Sequence, residues 1–180
     1  KYNVIEIDIG CMFSGKSSEI IKEAQRLRVI DKKVLLINSS KDVRYIPGTI
    51  CSHDQTSIDC LSTINLKEIK NDICEQYEYI IIDESQFFSD LYEFVCDMVD
   101  NKQKHLIIVG LNGDFNRDNF GDIYKLYPKA DSINLLKAMC MSCKDGTEAI
   151  FSKKLSSSND IVDVGSTDKY IPVCRKCYVI

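Results

Sequence analysis

Apolar and polar positions alternate from Val4 to Asp8 and then stop at a glycine-bounded stretch, Gly10 to Gly15. From Lys16 onward Ile20, Ile21, Ala24, Leu27 and Ile30 recur at helical spacing, so the N-terminus reads as strand, loop, helix. Lys33 to Ile37 predicts a second, buried strand. A polar segment follows from Asn38 to Ser57, in which Pro47-Gly48 signals a turn. Tyr79 to Ile82 is a third apolar run, Ser89 to Met98 suits a helix, and His105 to Val109 is a fourth run. Short continuous apolar runs alternating with helices predict an α/β fold, a mostly parallel sheet covered on both faces.

The pattern changes near Met139. Cys140-Met141-Ser142-Cys143 and Cys174-Arg175-Lys176-Cys177 enclose two short apolar segments, Ala149 to Phe151 and Ile161 to Val164. The expected organisation is a nucleotide-binding part over 1–138 and a small stapled lobe over 139–180. With 180 residues the chain has room for one domain and such a satellite. A net charge of −4 provides no global basic field, which argues against direct nucleic-acid binding or attachment to an anionic membrane. No run approaches the roughly 18 apolar residues that span a bilayer. Nine cysteines are an odd number, and the chain enters its first strand with no signal peptide before it, so a reducing, cytoplasmic setting is expected.

Gly10-Cys11-Met12-Phe13-Ser14-Gly15-Lys16-Ser17 fits G-x-x-x-x-G-K-[ST], and it lies between a strand and a helix, as its mechanism requires. Its backbone N–H groups would face a polyphosphate, Lys16 would reach the β- and γ-phosphates, and Ser17 would ligate Mg²⁺. A chance glycine-rich turn is the competing explanation. The third strand ends in Asp83-Glu84, at the edge where ligands of open parallel sheets bind. Asp83 suits the second Mg²⁺ anchor. Glu84 is then the spare carboxylate, able to accept a proton from a substrate hydroxyl or to orient a water.

The two C-x-x-C pairs, with 30 residues between Cys143 and Cys174, offer four thiolates at structural-zinc spacing. All four positions are filled, so the metal is read as structural, against a redox pair or free thiols. Cys11, Cys51, Cys60, Cys74 and Cys96 have no such pairing and are read as small core or surface residues. His105 and His53 are assigned structural rather than catalytic roles. Phe87, Phe88, Phe115 and Phe120 follow strand ends and would wall a flat heteroaromatic ligand or simply fill core. Arg44 and Arg117 are candidate partners for charge developing on a phosphate, or surface ion-pair residues.

Taken together these motifs resemble the type II thymidine kinases. The resemblance runs through Gly10 to Ser17, Lys41 to Tyr45, Ser52-His53-Asp54, Asp83 to Phe88, Gly110 to Phe115 and Asp168-Lys169-Tyr170. It implies transfer of the γ-phosphate of ATP to the 5′-hydroxyl of thymidine, with deoxyuridine as a further acceptor, in pyrimidine salvage. Glu84 is the implied base. Lys16 and Arg44 support the phosphoryl group, and Asp42, Val43 and Gln86 join the ATP-binding set. Phe115 would stack on thymine, with Met12, Phe87, Leu111 and Phe120 around it and Tyr170 closing over base and sugar. Ile161-Val162-Asp163-Val164-Gly165 is similar to the family's lasso, which bonds thymine through its backbone. The zinc would tie down both ends of that flap, so its chelation is expected to cost nucleoside binding more than ATP binding. A homotetramer, feedback inhibition by thymidine triphosphate and a cytoplasmic site, the host's if the chain is viral, are implied as well. Asn112, Lys154, Ser166 and an extra residue within 144–147 depart from the family pattern. The competing reading is a P-loop ATPase whose zinc lobe binds nucleic acid.

Overall fold

A computed structural model describes residues 3–42, 47–155, 157, 159–162 and 168–180. In chain order the elements are β1 (Ile5–Gly10), α1 (Lys16–Val29), β2 (Val34–Ser39), β3 (Thr49–Cys51), β4 (Ser57–Asp59), β5 (Leu61–Thr63), α2 (Asn71–Glu75), β6 (Tyr79–Ile82), α3 (Leu91–Cys96) and β7 (His105–Leu111). They are followed by β8 (Ser132–Leu136), β9 (Ala138–Met139), β10 (Glu148–Ala149), β11 (Phe151–Lys154), β12 (Tyr170–Val173) and α4 (Arg175–Val179).

Six strands form a parallel sheet in the order β5-β2-β6-β7-β1-β8. Side chains alternate across it, and both faces are buried. Ile5, Ile7, Ile9, Ile80, Ile82, Leu106 and Ile108 pack with Phe88, Leu91 and Val95 on one side. Val34, Leu36, Tyr79, Ile81, Ile107 and Val109 pack with Ile20, Ile21, Ala24 and Leu27 of α1 on the other. This double covering explains why β2, β6 and β7 read as unbroken apolar runs. Burying one such Ile or Leu stabilises the fold by about 1.5–3 kcal/mol. The helix expected over 89–98 begins at Leu91, and its last turn continues as a π-turn over Asp97–Asn101.

The polar segment before Ser57 holds more structure than its composition indicates. β3 and β4 form a small antiparallel hairpin with Ile50 opposite Ile58. The edge strand β8 also lies outside the expected pattern, since it exposes Ile133 and Leu135. In the C-terminal region β9 pairs with β10 and β11 with β12, both antiparallel, and α4 closes the chain. Their core contains Ala138, Cys140, Ala149, Val173 and Cys174, together with Cys11 from the glycine-rich loop. That shared core fastens the lobe to the loop after β1. Because the strands are parallel, the loops after β1, β2, β6 and β7 converge at one sheet edge.

Candidate active site

The turn after β1 is built by backbone that few residues tolerate. Phe13 and Gly15 both have positive φ, at 64° and 85°. A Cβ on Gly10 would fall 2.4 Å from Ser14 Oγ and 2.7 Å from the Leu136 carbonyl, so the first glycine is required by close approach. Cys11 accepts at its carbonyl from Ser14 Oγ (2.6 Å) and from Lys16 Nζ (2.8 Å), and Lys16 Nζ also donates to the Gly10 carbonyl (3.2 Å). Lys16 is thus drawn across the loop it serves. The Cys11 side chain is fully buried against the C-terminal lobe, with its Sγ 3.5 Å from the Ala149 carbonyl, so any nucleotide contact at this position belongs to the backbone. Burial also pushes its thiol pKa up, against the opposing charge of Lys16.

At the end of β6 the chain enters a second strained turn. Glu84 sits in the left-handed region at φ 49°, ψ 40° and is buried. Its N–H donates to Asp83 Oδ1 (2.8 Å), and its Oε2 accepts from Gln86 Nε2. Gln86 Oε1 in turn accepts from the N–H of Leu111 at the end of β7 (3.2 Å). The carboxylate of one strand end is therefore oriented by an amide anchored to the next. Two glycines make room for this bridge. A Cβ on Gly110 would lie 2.6 Å from Gln86 Oε1, and one on Gly121, at φ 66°, would lie 2.2 Å from the Gln86 carbonyl.

One cavity joins these parts. Met12, Phe13, Ser14, Gly15, Lys16, Ser17, Asp42, Glu84, Gln86, Phe87, Leu111, Phe115, Phe120, Ile161, Val162 and Tyr170 all line it. Phe87 and Phe120 meet edge to face at 5.6 Å, forming one aromatic wall. Lys154 Nζ lies 4.8 Å from the centre of the Phe115 ring and 5.9 Å from that of Tyr170. Gly10 and Cys11 are buried and do not line the cavity. Asp83, whose Oδ1 accepts the Glu84 N–H, is buried at 3% exposure and does not line the cavity. Val43, Arg44, Tyr45, Asp163, Val164, Gly165 and Ser166 lie outside the described residues. Phe88 is core, 1% exposed. Arg117, a candidate for the phosphates on sequence grounds, stacks instead on Phe151 and Tyr178, at 5.2 Å and 4.3 Å.

Several lining residues are illegible in the sequence. His53, from the β3–β4 turn, stacks on Phe13 at 4.8 Å, and Cys51 and Ser152 also reach the cavity. Ser152 Oγ accepts the Met12 N–H across 140 residues of chain, at 3.0 Å. Asn112 Nδ2 donates to the Ile150 carbonyl (3.0 Å), a bond an ionised aspartate could not make. The only local signal for His53 was its place in the Ser52-His53-Asp54 motif, and for the others there was none.

Cys140, Cys143, Cys174 and Cys177 place their sulfurs within 4.8 Å of one another. Burial alone would favour a neutral Cys140 thiol, but backbone N–H groups of Cys143, Cys174 and Ser142 directed at its sulfur bring its pKa down to about 6. Hydrogen bonds shared with the Cys177, Cys174 and Cys140 sulfurs, which favour a Cys143 that keeps its proton, push the Cys143 thiol up. Four convergent sulfurs with amide donors behind them fit a tetrahedral zinc ion.

The family model for thymidine kinase matches residues 3–178. The chain belongs to the thymidine kinase family. It is 41% identical over 175 residues to the thymidine kinase of Rabbit fibroma virus (strain Kasza), covering 97% of this chain and 95% of that protein. Thymidine kinase 1 of Dictyostelium discoideum is 40% identical over 97% of this chain and 77% of its own length. The cytosolic thymidine kinase of Homo sapiens is 37% identical over 97% and 72%. Membership makes the chain a kinase, and the phosphate-loop fold and four-cysteine cluster agree with that class. Among the described residues no helix is long and apolar enough to cross a membrane.

Proposed function

We propose that this kinase transfers the γ-phosphate of ATP to the 5′-hydroxyl of thymidine, deoxyuridine being a further acceptor, with Glu84 as the general base. What carries the reading is the single cavity that joins the glycine-rich loop, a buried glutamate and an aromatic wall. The loop amides and Lys16 hold the triphosphate. Ser17 and Asp83 are the residues suited to Mg²⁺, which when bound would neutralise charge on the β- and γ-phosphate oxygens. Glu84 takes the proton as the hydroxyl attacks, its carboxylate held in place by the Gln86 amide. Phe115 stacks on the base, Met12, Phe87, Leu111 and Phe120 enclose it, and Tyr170 covers base and sugar. The segment from Ile161 to Gly165 closes over the polar edge of thymine through its backbone. Arg44 acts on the phosphoryl end beside Asp42 and Val43.

The same reading assigns residues 1–138 to nucleotide binding and 139–180 to a lobe held by structural zinc. It also includes a cytoplasmic homotetramer subject to feedback by thymidine triphosphate. Glu84→Gln tests the base directly. Turnover is expected to fall by about two to four orders of magnitude while ATP binding is retained. Unchanged turnover would remove Glu84 from the role.

A further inference from the structure

Tyr178 lies on α4, the residue after the last of the four clustered cysteines, and lies outside the lining of the cavity. Its hydroxyl nevertheless donates to the main-chain carbonyl of Phe115 at 2.6 Å, joining positions 63 residues apart. The Tyr178 ring packs 5.2 Å from that of Phe151. The guanidinium of Arg117, from the same loop as Phe115, lies over both rings, and that of Arg175 lies 5.0 Å from Phe151. Two aromatic rings and two guanidinium groups thus form a stack between the loop and the cysteine-bound helix.

The loop that carries Phe115 is closed upon itself. Buried Asp114 accepts at Oδ1 from the N–H groups of Asn116 (2.8 Å) and Asp118 (3.0 Å), and its own N–H donates to the Asp118 carbonyl (3.0 Å). Arg117, at φ 68°, donates its N–H back to the Asp114 carbonyl (3.0 Å). Such a loop shifts as a unit, so the direction of the Phe115 ring depends on where the unit is tied to the rest of the molecule. The Tyr178 bond ties it at Phe115 itself.

We infer that Tyr178 is a positioning residue for the nucleoside: through the Phe115 carbonyl it sets the ring that faces the base, so the C-terminal helix tunes nucleoside affinity without touching the nucleoside. The inference rests on the reading of Phe115 as the stacking residue. Loss of the hydroxyl leaves the loop's internal bonds intact and releases its orientation. Stacking contributes to substrate and transition state alike, so the loss is expressed in KM rather than in kcat.

The test compares the zinc-loaded parent protein with Tyr178→Phe, Phe115→Ala and the double variant, reading thymidine KM, ATP KM, kcat and zinc content for each. Tyr178→Phe keeps the ring stack. It is expected to raise thymidine KM about three- to tenfold, the range of one net hydrogen bond, with kcat, ATP KM and zinc content at parent values. In the Phe115→Ala background the same change should have no further effect on thymidine KM, because the group it positions is gone. If Phe115→Ala raises thymidine KM but Tyr178→Phe does not, the positioning role is wrong and stacking stands. A thymidine KM untouched by Phe115→Ala overturns the stacking reading itself. Parallel losses in ATP KM, kcat or zinc on Tyr178→Phe would make the residue merely structural and also sink the inference.

Discussion

At the scale of single residues the site depends on positions that only one residue type can fill. Gly110 is the clearest. An added methyl would meet Gln86 Oε1 at 2.6 Å and Ile123 Cδ1 at 2.5 Å, so the amide that holds Glu84 must move. Gly110→Ala is therefore expected to lower kcat by about a hundredfold, the cost of a misplacement near 1 Å at the reacting centre. Activity and a melting curve on the same sample check it. A lowered melting temperature with full kcat would show that Gln86 does not set the geometry. Glu84 illustrates a different constraint, since a glutamate at φ 49° is held in a conformation that costs about 1–3 kcal/mol and persists because the strands around it leave no alternative.

At the scale of elements, the C-terminal lobe touches both the glycine-rich loop and the cavity. Its core includes Cys11, its Ser152 accepts the Met12 N–H, and its Ile150 carbonyl accepts from Asn112 beyond β7. The lobe thus buttresses the glycine-rich loop as well as lending Ser152, Ile161, Val162 and Tyr170 to the cavity. The sequence alone leads to the expectation that chelation costs nucleoside binding more than ATP binding; the packing of the lobe on the loop leads to a different prediction. Stripping the metal is expected to weaken ATP and thymidine binding together, by about tenfold or more each, as the four-cysteine frame opens. Calorimetric titration of each ligand into chelator-treated protein measures this. ATP affinity unchanged while thymidine affinity collapses would mean that the loop stands without the lobe.

The same contacts explain what was legible in advance. β1, the glycine-rich turn and α1 are specified by neighbours within 30 residues, as are β6 with Asp83-Glu84, and all were readable from periodicity and motif. The β3–β4 hairpin was hidden because strands of three residues leave too short a pattern to separate from a polar loop. The edge strand β8 exposes Ile133 and Leu135 and lacks the inward-outward alternation of a half-buried strand. The stack of Arg117 on Phe151 and Tyr178, and the reach of Ser152 to Met12, depend on residues far apart in sequence, for which no local signal exists.

At the scale of the whole molecule the net charge of −4 is not evenly spread. On the sheet face beside α1, Glu6, Asp8, Glu19 and Glu23 line one recess, with Arg26, paired to Glu23, as the one cation among the described residues that line it. Burial raises the pKa of Asp8, a bond from Asn134 (2.8 Å) opposes the shift, and the neighbouring carboxylates add to it. A carboxylate whose folded pKa is raised destabilises the native state once it ionises. That penalty is present at neutral pH, shrinks as pH falls through the raised value, and is gone below its ordinary value near 3.8. Asp8→Asn is accordingly expected to raise the melting temperature at pH 7.5 and to lose the advantage toward pH 4. A gain that persists at low pH would assign the effect to packing.

The whole assembly of loop, glutamate and aromatic wall makes one claim about chemistry, namely that a nucleoside hydroxyl is the acceptor. Incubation with ATP and Mg²⁺ in the presence of thymidine, deoxycytidine, deoxyguanosine, deoxyadenosine or single-stranded DNA, with chromatography of the products, tests it most directly. Thymidine 5′-monophosphate as the only phosphorylated nucleoside is the predicted result. ATP consumed without a phosphorylated nucleoside, or only when DNA is added, would contradict it and make Glu84 a residue that orients water.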